Sequence, residues 1–299
     1  MKNSVLRRTI SILADNMGLS LKILLYSGIL MLIALFFVMA ILGPIYNALT
    51  NDFLAWTDLY NALNPGTYGG LSGIAESFRS FLYDNQGSLF ARGGLMLLVY
   101  FLFVFFINLT KLPATKVVYN KMSQSYNERF YHALFSSLPK SLLFSLIYSL
   151  ISVVLDFIII TFCVLIVIGL NSIIGFFSLT VSAFVGLILL TLKQSIFSLW
   201  TPTMVSEESN AFKALKTSFP KSIKNLKTAF VPHFFGLVVM FAIVTSTALF
   251  TVGLLPILLM PIYIVFINTA NTVTYFTTNN KKFYLYGTFV EKEETDIEE

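Results

Sequence analysis

Residues Leu142–Leu170 read LLFSLIYSLISVVLDFIIITFCVLIVIGL, and Asp156 is the only charge among them. A helix that crosses a hydrocarbon core of about 30 Å needs about 20 mostly apolar residues. This run is longer than that. Similar runs lie at Ile23–Ala48, Gly93–Thr110, Ser172–Trp200, Thr228–Thr251 and Leu254–Tyr275. Composition points the same way. Hydrophobic types make up 56% of the 299 residues and charged types 12%, against about 25% charged in a typical soluble domain. The chain lacks the polar residues to cover a water-facing surface, so lipid must cover much of it. The expectation is an all-α membrane protein with six transmembrane helices, arranged as three hairpins.

The basic residues set the orientation. Of 20 lysines and arginines, all but Arg79 and Arg92 precede the first run, lie between the second and third, surround the end of the fourth, or follow the sixth. Positive charge accumulates on the cytoplasmic side of spanning segments. Both termini are therefore expected in the cytoplasm, in the cytoplasmic (plasma) membrane. This placement explains the net charge of +5 without a nucleic-acid partner. Cleavage of the first run as a signal peptide, after Val38 and Ala40, competes poorly with a long apolar segment preceded by 22 residues.

Residues 1–277 read as one six-span domain. Asn171 and Gly253 leave room only for tight outer turns. Residues 49–92 form an extracytoplasmic insert between spans 1 and 2, with turn signals at Asn64-Pro65-Gly66 and Gly69-Gly70. Residues 278–299 read as an acidic cytoplasmic tail, partly disordered.

Two cytoplasmic segments repeat each other. Ala133–Ser141 is ALFSSLPKS and Ala214–Ser222 is ALKTSFPKS, and each leads into a spanning hairpin after an earlier proline, Pro113 or Pro202. In the second copy Phe212, Leu215, Phe219, Ile223, Leu226 and Phe230 recur at helical spacing. Lys213, Lys216, Lys221, Lys224 and Lys227 lie beside and opposite them. Such a helix suits the inner interface, with its lysines contacting anionic lipid headgroups; packing on the bundle produces the same stripe. Pro220 should kink or restart the helix. The N-terminus, with Ile10, Leu13, Met17 and Leu21, reads as a third, degenerate copy. Each hairpin would thus follow an amphipathic cytoplasmic interfacial helix.

The tract Trp200–Phe230, with Pro202, Glu207, Glu208, Ala214-Leu215 and Ser218, resembles a bacterial six-transmembrane superfamily. That group contains the membrane domain fused to some glycerophosphodiester phosphodiesterases, and uncharacterised stand-alone relatives. The resemblance implies an architecture and carries over no catalytic residues.

Motifs for chemistry are scarce. His132 and His233 lack metal-ligand partners at helical spacing, and Cys163 stands alone. No cofactor or metal site is expected. Glu207 and Glu208 suit a helix's first turn. The candidate intramembrane polar site is Asp156 with Asn268, Asn271 and Thr272; Ser149, Ser152, Thr180 and Ser182 are plausible neighbours of Asp156. A buried carboxylate in a span marks a pathway or a structural partner. Lys193 is expected to snorkel to headgroups, and His233 to sit at the inner mouth of span 5. The leading functional expectation is a non-enzymatic membrane protein, acting in transport or as a membrane or envelope scaffold. The alternative is an intramembrane or lipid-acting enzyme.

Overall fold

A computed structural model describes residues 5–52, 86–175, 177–251, 254–285 and 288–290. The helices are α1 Val5–Asp15, α2 Met17–Asp52, α3 Gln86–Asn108, α4 Lys111–Gln124, α5 Phe130–Ser136 and α6 Leu138–Ile174. They continue with α7 Phe177–Ile196, α8 Trp200–Ser206, α9 Ala211–Lys224, α10 Leu226–Thr251 and α11 Leu254–Thr278. A short antiparallel hairpin follows, β1 Phe283–Leu285 and β2 Thr288–Val290, with Phe283 opposite Val290. The apex at Gly253, most of the 49–92 insert and residues 286–287 and 291–299 of the tail fall outside the described residues.

Six helical segments are long and apolar enough to cross a membrane: Met17–Pro44, Gln86–Gln124, Leu138–Asn171, Phe177–Ser206, Leu226–Ser246 and Leu259–Thr278. The chain is a multi-pass, all-α membrane protein. Its surface is inverted relative to a soluble protein. Phe36, Ile168 and Phe177 are exposed, while Ser141, Ser145, Ser149, Thr191, Ser195 and Asn268 are fully buried. Apolar chains that meet lipid lose nothing, whereas polar groups in lipid need internal partners.

Contacts divide the chain into two units, Ile29–Phe103 and the remainder. In the smaller unit Arg92 Nη1 donates to Ile41 O at 2.9 Å, and Nε donates to Ser88 Oγ at 3.0 Å. In the larger unit α6 packs along α7 and α10 along α11, while α10 also packs on α7. The first pair is antiparallel: Ser182 Oγ donates to Cys163 O at 2.8 Å, and Lys193 meets Ser152 and Asp156. The turn lies at Gly175, whose φ of +54° suits glycine. It comes later than the expected apex at Asn171, because α6 runs on to Ile174.

α11 is the central element. In its most apolar window 78% of residues are buried, against 11–28% for the other spans. Its C-terminal half carries Asn268, Thr269, Asn271, Thr272 and Thr274, all buried, so the bundle shields those groups from lipid. At Gly236, on α10, an added Cβ would lie 2.5 Å from Phe266 Cε1 on α11. Only a glycine allows that approach.

The similar segments Ala133–Ser141 and Ala214–Ser222 place matching residues alike. Ala133 and Ala214 are fully buried, as are Ser141 and Ser222, and Ser137 and Ser218 are also buried. They differ at the proline. Pro139 sits in the first turn of α6, just after a break at Ser137, whereas α9 runs through Pro220. The expected restart falls later, at Asn225, between α9 and α10. Phe212, Phe219 and Ile223 of α9 face outward, and Lys213, Lys216, Lys221, Lys224 and Lys227 are exposed. Its buried side is the narrow row Ala211, Ala214, Ser218 and Ser222. At the N-terminus Ile10 of α1 and Met17 and Leu21 of α2 are exposed, Leu13 is half-buried, and Thr9, Ile12 and Asn16 are buried.

Candidate functional site

Two spans are broken at matching places. α3 ends at Asn108 and α4 starts at Lys111; α7 ends at Ile196 and α8 starts at Trp200. The half-helix after each break, α4 or α8, carries a proline as its third residue, Pro113 or Pro202. A first-turn proline needs no hydrogen-bond donor and presets the helical φ. A break inside a span leaves carbonyls that must find donors. At the first break Phe105 O receives Ser145 Oγ, Phe106 O receives Tyr26 Oη at 2.9 Å, and Ile107 O receives Thr110 Oγ1 at 2.7 Å. The break is thus a satisfied structural feature.

The half-helices α4 and α8 lean on α11 through hydroxyls and amides. Thr115 Oγ1 lies 3.2 Å from both Thr201 Oγ1 and Asn268 Oδ1. This joins α4, α8 and α11. Asn108 Nδ2 donates to Ser149 Oγ at 3.1 Å. Trp200 Nε1 donates to Ala211 O at 2.8 Å, which ties α8 to α9, and its ring meets Phe144 edge-on.

Between these elements lies a cavity of about 170 Å³. Its polar lining includes Lys111, Tyr148, Gln194, Thr201, Tyr263 and Asn271. Ile107, Met260, Ile264 and Ile267 form an apolar wall. The Lys111 ammonium lies 3.8 Å from the Tyr148 ring centre. Gln194 and Tyr263 hold each other at 2.9 and 3.1 Å.

Asn268, Asn271 and Thr272 are buried together on α11. Thr272 Oγ1 donates to Asn268 O at 2.8 Å. Asn271 lines the cavity and lies 2.9 Å from His233 Nε2. His233 is fully buried, near the start of α10. Its Nδ1 is 2.6 Å from Ala229 O, a group that only accepts, so Nδ1 carries a proton.

Asp156 stands apart from this group and is not part of the cavity lining. It is buried and paired with Lys193, and Ser152 Oγ bonds to its Oδ2 at 3.2 Å. Lys193 therefore does not snorkel. Its side chain is only 10% exposed, because a carboxylate on the adjacent helix offers more than a distant headgroup. Of the other expected neighbours, Ser182 bonds to Cys163 O and Thr180 is exposed. The sequence reading missed Lys111, Lys193 and Gln194 as site residues, since charge at a span's end was assigned to the headgroup region.

Outside the spans, Glu128 gathers Lys116 Nζ at 3.0 Å, Asn120 Nδ2 at 2.7 Å and His132 Nδ1 at 3.2 Å. Burial opposes the charged carboxylate, but these bonds outweigh it and hold the carboxyl below its ordinary range. Among the described residues, no group of three or more histidine, cysteine or acidic side chains could hold a metal ion.

No family model, no curated protein and no solved structure matches the chain.

Proposed function

We propose that the chain is a solute-translocating protein of the cytoplasmic membrane, non-enzymatic, with both termini in the cytoplasm. The observation that carries this reading is the cavity at the two helix breaks, mostly apolar but lined also by Lys111, Gln194, Thr201 and Asn271. Broken helices that line a polar cavity near mid-membrane are a recurring way to bind a solute where lipid offers no polar partner. The Asp156–Lys193 pair supports the same reading, since charges inside a span usually serve a pathway or brace one. The architecture is three hairpins, each led by an amphipathic helix in the inner interface. The outward aromatic residues of α9 and its exposed lysines suit that place, with the lysines on anionic headgroups. This also keeps open a second reading, a membrane scaffold, which needs no flux. Kinship with the six-span superfamily rests on the Trp200–Phe230 motif and belongs to this proposal.

The test uses one cysteine in the cavity wall. Met260→Cys, in a Cys163→Ala background, is exposed to a membrane-impermeant thiosulfonate in sealed right-side-out and inverted vesicles. Translocation predicts labelling from both faces as the cavity opens alternately. Labelling from neither face, or from one face only, contradicts it.

A further inference from the structure

The cavity contains a cation with no acid beside it. Among the described residues, ion pairs join Lys116 and His132 to Glu128, Lys121 to Asp15, and Lys193 to Asp156. Lys111 belongs to none of them. Its contact is the face of Tyr148, a ring that is itself buried. A ring face offsets only part of the cost of holding an ammonium away from water. Asp156 is within electrostatic reach of Lys111, yet it already neutralises Lys193. Lys111 is also the first residue of α4, a helix of 14 residues. The cavity wall thus holds a lysine that belongs to none of the ion pairs among the described residues.

The opposite wall is apolar, formed by Ile107, Met260, Ile264 and Ile267. A phosphate wants donors on every side, whereas a carboxylate with a short hydrocarbon tail matches a site with one cationic and one greasy face. An engineered cavity of about 150 Å³ holds one benzene. A cavity of about 170 Å³ therefore takes a solute of about six heavy atoms. We infer that this cavity binds a short-chain monocarboxylate, with the Lys111 ammonium as its counter-charge and the isoleucine wall against its tail. This rests on the solute-binding reading above and names its substrate class.

The experiment uses the full chain in nanodiscs of neutral lipid. Thermal unfolding is followed against sodium propionate, propionamide and inorganic phosphate at constant ionic strength. Propionate should stabilise saturably, and the other two should not. Lys111→Met should weaken propionate binding roughly tenfold to hundredfold, as expected for loss of one charged hydrogen bond. Asn108→Asp puts a carboxylate into the cavity lining on a nearly isosteric side chain and should cause the same loss. It serves if the methionine variant does not fold. Equal stabilisation by propionamide overturns the carboxylate assignment and leaves a neutral-solute site, so the translocation reading survives. Preference for phosphate, an unchanged propionate response in both variants, or no response to any of the three also overturns it. Met260→Cys labelling reads the translocation proposal separately.

Discussion

Asp156 and Lys193 stand on the two arms of the α6–α7 hairpin, at almost equal distance in sequence from Gly175. That symmetry puts them at one height, where each makes the other tolerable. Removing one charge leaves its partner buried and unmatched. Asp156→Asn or Lys193→Met should each cost about 3–5 kcal/mol. The double variant Asp156→Asn/Lys193→Met should regain most of that loss, because no lone charge remains. Thermal unfolding in detergent checks this; additive losses would show that the two do not act as a pair. Glu128 tests a different balance. Its carboxyl titrates below the ordinary value of 4.5, so the charged form is favoured by folding. The stabilisation is fully present above that value and is lost as pH falls through the lower folded one. At neutral pH Glu128→Gln should cost about 1–3 kcal/mol, and the gap from wild type should close in acid. A gap that stays constant with pH would remove the ionic explanation.

Helix pairing depends on which face of each element carries small residues. Gly236 is the clearest case, since any side chain there meets the Phe266 ring. Gly236→Ala should destabilise by about 1–3 kcal/mol, the usual cost of overpacking. Adding Phe266→Leu should relieve it, as read by unfolding of the double variant. A neutral Gly236→Ala would mean that α10 and α11 are not in close contact there. The existence of the six spans was legible in the sequence, because a long apolar run has few alternatives. The serine ladder of α6, Ser137, Ser141, Ser145, Ser149 and Ser152 leading to Asp156, was also visible as residues one turn apart. Its partners were not. An apex read at Asn171 set Lys193 about seven residues out of register with Asp156, roughly 10 Å at 1.5 Å per residue. The hairpin turn at Gly175 removes the offset. Lys111 escaped notice because it ended a hydropathy run. A break at Leu109–Thr110 instead lets the helical path continue into α4 and turns the lysine inward. The helical spacing of Ile10, Leu13, Met17 and Leu21, and of the apolar residues of α9, was visible in the sequence. The sequence could not choose between lipid and bundle as what they face.

For the whole molecule, the physical argument is that polar groups seek one another because lipid offers none. That places the least apolar span, α11, at the centre and gathers threonines, amides and one spare lysine around a cavity. It also favours an even number of crossings, since sixteen of the 20 basic residues then share a side, Arg79 and Arg92 lie on the other, and Lys111 and Lys193 are buried. The most direct measurement is a topology assay in cells. A fluorescent reporter that matures only in the cytoplasm is fused to each end, and a phosphatase active only outside is inserted within 49–92. The account predicts fluorescence from both ends and phosphatase activity from the insert. Ends on opposite sides of the bilayer, or a chain that purifies monodisperse from cytosol without detergent, would contradict it.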